Sequence, residues 1–429
     1  MSGVSRDRVG GLVDSKSVYG DSSVVDALNI LSGSARFDAF SRLRVSNPVT
    51  IFDSQSQYDA GLKDAFFHDI TGAASAAHNH DECSVTLTTT TGATDAIVRQ
   101  TQRYFRYQPG KSQLIFCTFD FQANDGGTKE VGYGDDDNGI FFRMDASGNL
   151  SLFKMSKQTG SAAESEVEQA NWSVDVFDGT GVSGITLDAT KAQILVVDLQ
   201  WLAVGRVRVG FDINGIICYA HEFLWANVDS GVYMSTANLP IRYKLVGNGS
   251  ITNLEAICCS VSSEGGFVHD LGHEHVTPAG TTGISCATGS ETFIAAIRPK
   301  ALFNTYANRG EYIPTAISFY VTGNAVLIRS YHGGTVTGGS WVSSDAESGV
   351  EYNITATTSG GHLTTGEYGA AAGGGKAFQT AGGSDTQNRL FLVLDMDAAN
   401  TDEGNYTVVG QGIGGTAVVY CNIHWTEIK

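Results

Sequence analysis

The densest group of metal-binding side chains lies at residues 269–275, with the sequence HDLGHEH. Neutral imidazole is a preferred ligand of zinc, nickel and copper, so His269, His273 and His275 are the candidate metal ligands. His269 and His273 have the i, i+4 spacing of the zincin pattern HExxH, with aspartate in place of its glutamate. That spacing needs a helix, and Gly272 among turn-forming residues disfavours one. The composition therefore favours the alternative, a solvated linker.

Three further segments carry ligand-type side chains. Residues 78–83 (HNHDEC) precede a strand and are interpreted as a loop. Cys421 and His424 have the CxxH spacing, but residues three apart on a strand face opposite sides, so core packing is the better account. Residues 135–139 (DDDNG) place three carboxylates before a glycine without the EF-hand positions. Two interpretations of that segment stay open, a cation site of another type and an acidic turn between strands.

No pattern of nucleophilic catalysis is present. The motif Gly-x-Ser-x-Gly does not occur in the sequence. A glycosidase carboxylate pair can come from distant strands, but nothing singles out such a pair. Tryptophan could stack on sugars if exposed, although core positions are favoured because aromatic side chains dominate core burial; the five are Trp172, Trp201, Trp225, Trp341 and Trp425. We therefore expect a protein that is not an enzyme and that needs no cofactor.

Composition excludes several classes of partner. The net charge of -18 argues against a surface that follows phosphate, so no nucleic acid is expected. No stretch approaches the roughly 20 apolar residues of a membrane helix, and the N-terminus has no apolar signal region. The seven cysteines are scattered without a disulfide framework, which predicts reduced and mostly buried thiols. A protein made in the cytoplasm without membrane insertion follows.

The elements that must position these residues are strands. With 52 glycines, 6 prolines and long Thr, Ser and Val tracts, the sequence favours short strands joined by glycine turns. Alternating patterns indicate strands at 84–91, 96–107, 113–121, 140–144, 150–155, 193–198, 205–213 and 216–223. Asn214-Gly215 between the last two is a strong hairpin signal. Pro240 is predicted to begin an edge strand.

These patterns predict an all-β protein, an antiparallel, jelly-roll-like β-sandwich followed by a second, smaller β-sandwich domain. At 429 residues, more than one domain is expected. We place an extended N-terminal arm at 1–35, the sandwich at 36–265, a linker at 266–290 and the C-terminal sandwich at 291–429. Arg206 and Arg208 alternate with valines and are predicted to pair with carboxylates on a neighbouring strand or subunit.

Part of the chain, roughly residues 36–245, resembles virion structural proteins of tailed phages, especially marine and cyanobacterial phages. The residues that carry the resemblance are Arg36 to Ser46, Asn171-Trp172-Ser173, Leu199 to Phe211 and Asn238-Leu239-Pro240-Ile241-Arg242-Tyr243. The resemblance is to tail, fibre and capsid-surface proteins, and it brings no catalytic residues. It implies a place in the virion without fixing head, neck or tail.

The expected function is therefore that of a virion component that assembles with other virion proteins, as a homo-oligomer, by analogy a trimer, docked through its N-terminal arm. One alternative is a receptor protein that binds a host-surface glycan. A further alternative is a tailspike glycan hydrolase, for which a β-helical repeat or a carboxylate pair would be expected.

Overall fold

A computed structural model describes residues 5–6, 12–13, 47–61, 65–268, 272–278, 282–371, 376–379 (backbone only) and 404–429. By internal contacts the chain divides into two units, Met1–Pro48 and Val49–Lys429. In the first unit, β1 (Ser5–Arg6) and β2 (Leu12–Val13) form an antiparallel pair. The remainder of the predicted arm, and the segment Arg36 to Ser46, lie outside the described residues.

Two antiparallel sheets make up the first part of the second unit. Its strands are β3 (Val49–Gln55), β4 (Phe66–Thr71), β5 (Ser75–Asn79), β6 (Ser84–Thr89), β7 (Ala96–Thr101), β8 (Gln113–Asp120), β9 (Thr128–Gly134), β10 (Gly139–Met144), β11 (Leu150–Ser156), β12 (Ala163–Glu168), β13 (Gln193–Leu199), β14 (Val207–Ile213), β15 (Ile216–Phe223), β16 (Ile241–Val246) and β17 (Thr252–Ser263). One sheet has the order β12-β11-β10-β9-β16-β7-β4, and the other has the order β15-β14-β13-β8-β17-β6-β5, with β3 also paired to β17.

Alternating side chains from the two sheets meet in one core. On β8, Ile115, Cys117 and Phe119 point inward and are fully buried, while their neighbours are half-buried on the other face. The ring of Phe121 stacks on Phe142 of β10 with 5.4 Å between ring centroids. This period of two, with apolar residues on the shared face, is the pattern of a sandwich. The predicted all-β, jelly-roll-like sandwich is confirmed.

The C-terminal part has a separate apolar core. Its strands are β18 (His273–Val276), β19 (Ile284–Cys286), β20 (Thr292–Pro299), β21 (Leu302–Phe303), β22 (Tyr306–Ala307), β23 (Glu311–His332), β24 (Thr335–Thr337), β25 (Val342–Ser343), β26 (Val350–Asn353), β27 (Thr357–Ser359), β28 (His362–Gly369), β29 (Lys376–Gln379) and β30 (Tyr406–Ile428). Nine of these strands are hydrogen-bonded into a single antiparallel sheet.

The long strands β23 and β30 pair along nearly their whole length and change register at a glycine-rich bend. From Ile317 to Val321 the buried positions of β23 are odd-numbered, and from Val326 to Ser330, after the bend, they are even-numbered. The register slip at Gly323 switches the face of β23 that is buried, so residues from both halves enter one core.

Two predictions about the chain's organisation need correction. Part of the predicted linker 266–290 is strand, because β18 and β19 both pair with β30. Pro240 precedes a central strand and not an edge strand, since β16 lies between β9 and β7. Proline is tolerated there because it stands just before the first residue of the ladder and its carbonyl accepts a hydrogen bond from Gly134. The other domain boundaries stay predictions.

No helix in the described part of the chain is long and apolar enough to cross a membrane.

Candidate functional site

Two of the three predicted metal ligands lie in the described residues, both on one strand. His269 lies outside the described residues. His273 and His275 are on β18, a strand where a helical i, i+4 geometry is impossible. His275 is engaged elsewhere: its Nδ1 lies 3.1 Å from a carboxylate oxygen of Asp345 and its ring stacks on Trp425. Among the described residues, no group of three His, Cys, Asp or Glu side chains is placed to hold a metal ion.

The two smaller ligand-type clusters have structural partners. His78 Nε2 lies 2.8 Å from the carbonyl oxygen of Ser56, and His80 Nδ1 lies 3.0 Å from that of Gln57, so both imidazoles fasten this hairpin to the end of β3. His424 Nε2 lies 2.9 Å from Ser318 Oγ on the neighbouring strand. Burial raises the pKa of Cys421 to about 12, as expected for a packed thiol. These contacts agree with structural roles, but the loop interpretation of residues 78–83 is wrong for His78 and Asn79, which lie on β5.

The acidic segment 135–137, between β9 and β10, is neutralised by basic side chains of this chain. Arg242 forms a bidentate pair with Asp136, with nitrogen–oxygen distances of 2.6 and 2.9 Å. Arg309 pairs with Asp135 and lies 3.5 Å from Asp137. Burial alone would raise the pKa of Asp136, but Arg242 lowers it below the usual value. Since each carboxylate has a cationic partner, the acidic-turn interpretation fits and the cation-site interpretation does not.

Asp135 is the centre of this segment. It is 5% exposed, and its Oδ1 accepts hydrogen bonds from the backbone N–H groups of Asp137 and Asn138, each at 2.9 Å. Its Oδ2 accepts from Tyr104 Oη at 3.1 Å and from Arg309 Nη2. Burial, and then the charge of Asp135, raise the pKa of Tyr104, so the phenol stays protonated and donates. One carboxylate thus orders the turn and joins it to residue 309 of the C-terminal part.

A second set of buried contacts joins the sandwich to the C-terminal part. Glu311 on β23 is 6% exposed and lies 2.9 Å from Arg103 and 3.7 Å from Arg106, which follow β7. Arg106 and Gln108 also donate to the carbonyl oxygen of Val268, at 2.5 and 2.6 Å. Buried charges are stable only when paired and hydrogen-bonded, as they are here.

A pocket of about 290 Å³ opens where these parts meet; we call it the junction pocket. We call its lining residues on β4, β7 and β16 the floor of the pocket; the acidic segment and residues 307–309 also line it. The lining residues are Phe67, Asp69, Val98, Gln100, Tyr104, Asp135, Asp136, Asp137, Arg242, Ala307, Asn308 and Arg309. Carboxylate, guanidinium, amide and aromatic groups therefore converge on one concavity, whose lining is more polar than the mostly apolar lining of an ordinary small-ligand site.

Two donors on the floor of the junction pocket are unused. Gln100 is 1% exposed and its Nε2 has no hydrogen-bond partner among the described residues; the same holds for Arg242 Nε. The two residues are directly opposite each other on β7 and β16, and Phe67 is opposite Gln100 on the other side. Sequence reasoning missed this site, because its residues come from five separate segments. The alternation on β7 could only have indicated that Gln100 faces outward.

One carboxylate pair outside this pocket is Asp120 and Glu255, which are directly opposite on β8 and β17. Glu255 accepts hydrogen bonds from Ser84 and Thr86 hydroxyls at 2.6 and 2.7 Å and from the Gln122 amide at 3.2 Å. This carboxylate therefore fastens β6 and the end of β8 to β17.

The tryptophans, Arg206, Arg208 and the cysteines can also be compared with their predicted environments. Trp172, Trp225 and Trp425 are buried as predicted, and Trp201 and Trp341 are half-buried. Arg206 pairs with Glu222 at 3.3 Å, and Arg208 pairs with Asp198, both on neighbouring strands of this chain. All seven cysteines are free thiols, but four are only half-buried. The thiol prediction is thus right on pairing and wrong on the extent of burial.

No protein-family model and no curated protein matches the chain. Among solved structures, a glycoside hydrolase family 16 endo-glucanase from Bacteroides ovatus aligns at 12% identity and a TM-score of 0.34, over 49% of this chain and 99% of that one. A legume lectin-like domain from Entamoeba histolytica aligns at 12% identity and 0.31, over 50% and 97%. A protein of unknown function from Shewanella oneidensis MR-1 aligns at 11% identity and 0.33, over 58% and 99%. Similarity this weak assigns no function and no reaction.

Proposed function

We propose that the chain is a non-enzymatic structural component of a tailed-phage virion, of tail, fibre or capsid-surface type, that works by protein–protein assembly in the particle. The proposal starts from the resemblance of residues 36–245 to such proteins. It also includes assembly as a homo-oligomer, a trimer by analogy, with other virion proteins as partners and residues 1–35 as the docking arm.

The observation that supports it best is how the buried charges are used. Asp135, Glu311 and their arginine partners join the sandwich to the C-terminal part instead of converging on a reacting centre. Glu130 is used in the same way within one sheet, paired with Arg143 at 2.7 Å. Buried ion pairs with good geometry fix relative position and are broken only at high cost. A block built in this way suits a protein whose task is to hold a shape in an assembly.

The test is to locate the chain in intact particles. Purified virions from a host that carries the gene are analysed by mass spectrometry, and a density map of the particle is searched for the two β parts. We expect the chain at a fixed copy number per particle and a symmetric oligomer of the 45.4 kDa chain in solution. A monomer in solution that is missing from washed particles would contradict the proposal.

The hydrolase alternative has a separate test. Incubation with host polysaccharide should release no reducing ends, because Glu255 of the Asp120–Glu255 pair fastens strands together. Release that is lost in Glu255→Gln would reverse the assignment as a non-enzyme. The glycan-binding alternative depends on the junction pocket.

A further inference from the structure

We propose that the junction pocket binds one neutral sugar ring, such as a terminal residue of a glycan. This inference goes beyond a structural role and does not depend on it. A volume of about 290 Å³ is at the lower end of small-molecule sites, which suits one six-membered ring and excludes a longer oligosaccharide from the same cavity.

The amide nitrogen of Gln100 is a buried hydrogen-bond donor without a partner among the described residues. A buried polar group without a hydrogen-bond partner costs free energy, so native proteins rarely keep one without a use. Gln100 is nearly fully buried on the pocket floor, and its Nε2 needs an acceptor that the described residues do not provide. Arg242 Nε, opposite it in register, needs an acceptor too. A ligand with at least two acceptor oxygens would satisfy both.

The charge of the lining selects the class of ligand. Four carboxylates, those of Asp69 and of residues 135–137, outnumber the two guanidinium groups of Arg242 and Arg309. Both guanidinium groups are already bound by aspartates of the acidic segment. An anionic ligand would therefore find no guanidinium group that is not already paired with a carboxylate. Neutral hydroxyl groups fit better, because each accepts from Gln100 or Arg242 and donates to a carboxylate.

Aromatic side chains complete the match. Phe67 lies beside Gln100 on the floor and is half-buried, and Tyr104 also lines the pocket. A sugar ring has apolar C–H faces between its hydroxyl groups, so a site with aromatic surface next to amide and carboxylate groups is complementary to it. Asp69 is the exposed carboxylate of β4 in the lining, and it can accept a hydrogen bond from a sugar hydroxyl group.

The experiment is ligand-detected NMR on the full chain with a panel of methyl glycosides at millimolar concentration. Glucose, galactose, mannose and N-acetylglucosamine are the neutral members, and sialic acid is the anionic one. We expect saturation transfer to at least one neutral sugar and none to sialic acid. In Gln100→Leu the affinity for that sugar should fall about tenfold, as expected when one well-formed hydrogen bond to the ligand is lost.

Gln113 provides a matched control. It is also 1% exposed, but its amide donates to the carbonyl of Arg106 at 3.0 Å and accepts from Tyr133 at 3.2 Å. Gln113→Leu should lower the melting temperature and leave sugar affinity within twofold of the wild type. Gln100→Leu should keep or raise the melting temperature, because it removes an unpartnered amide.

Three results would overturn the proposal. No saturation transfer from any neutral sugar at millimolar concentration is the first, and stronger transfer to sialic acid is the second. The third is a Gln100→Leu variant that binds as the wild type does or that melts well below it, since Gln100 would then be a structural residue. None of these results bears on whether the chain is present in virions.

Discussion

The ion pair between Arg309 and Asp135 gives the sharpest test of how the two β parts are joined. Arg309→Met keeps most of the apolar stem of the side chain and removes the guanidinium group. Asp135 would lose one of its charged partners while it stays buried at 5% exposure. The hydrogen bonds from Tyr104 and from two backbone N–H groups remain.

The expected loss lies between two limits. Leaving a buried ion pair without one partner costs about 3–5 kcal/mol, and a surface pair contributes about 0–1 kcal/mol. The arginine side chain is 18% exposed and the aspartate side chain 6%. The three remaining hydrogen bonds still satisfy part of the hydrogen-bonding capacity of the carboxylate. We therefore expect Arg309→Met to lower the free energy of unfolding by about 2–3 kcal/mol.

The measurement is urea unfolding at fixed protein concentration, followed by tryptophan fluorescence and far-ultraviolet circular dichroism. Asp135→Asn and the double variant complete a cycle, whose coupling energy should be about 1–3 kcal/mol. Arg206→Met is the control, because Arg206 and Glu222 are 47% and 27% exposed and should contribute less than about 1 kcal/mol. A loss below about 1 kcal/mol in Arg309→Met, with no coupling to Asp135, would refute the idea that this pair joins the parts.

Further predictions concern single residues. Burial opposes ionisation of Glu427, but hydrogen-bond donors, Lys429 foremost, hold the pKa of this carboxyl group in the folded protein below 4.5. Its ionised form therefore stabilises the fold fully above pH 4.5, and this stabilisation is lost as the pH falls through the pKa of the folded state. Glu427→Gln should thus lower stability at neutral pH by about 2 kcal/mol and flatten its acid dependence in urea titrations, and an unchanged acid limb would count against this role. Burial, and then Arg99, lower the pKa of His68 to about 4, so its ring proton should titrate in NMR near that pH, and a midpoint near 6.5 would show the ring to be solvated. Because the unfolded chain takes up this proton first, stability should decline as the pH falls from 6.5 towards 4. Gly215 has a φ of 84° and open space at its Cβ, so Gly215→Ala should cost about 1 kcal/mol by thermal melting, whereas Gly231→Ala, also in open space but without a positive φ, should be neutral or slightly stabilising.

Strands with a clear local signal were predictable from the sequence. The alternation of β8 follows from its apolar residues, and the Asn214-Gly215 turn follows from two residues that adopt positive φ, at 55° and 84°. The pairing of Arg208 was predictable in kind, because alternation puts its charge on a sheet face. In each case the determinant lies within a few residues along the chain.

Strand β9 shows why other elements were missed. No strand is predicted from the sequence between 121 and 140, yet Gly132 and Gly134 lie in β9, and a side chain at either position would collide with Phe141 on β10. These glycines form a hollow for a ring on the outer face of the sheet, where Phe141 is 3% exposed and stacks on Phe153. The sequence alone does not distinguish a glycine that allows close packing within a strand from one that forms a turn.

The candidate site was out of reach for a different reason. Arg309 and Asp135 are 174 residues apart, and Gln100 became notable only because a partner is missing. A sequence pattern shows which bonds a side chain is able to form. The junction pocket depends on which of its lining side chains already have a hydrogen-bond or ion-pair partner in the folded chain. The acidic segment illustrates this, since three carboxylates that suggested a cation site are bound by Arg242, Arg309 and Lys157.

The joint between the two parts and the junction pocket depend on the same groups. Asp135 binds Arg309 to the turn, and residues 307–309 line the same pocket as Gln100 and Arg242. The carboxylates that would receive a ligand's hydroxyl groups are held in place by ion pairs before any ligand arrives, which reduces the ordering cost of binding. The ion pairs that join the two β parts would therefore also hold the proposed sugar site in shape.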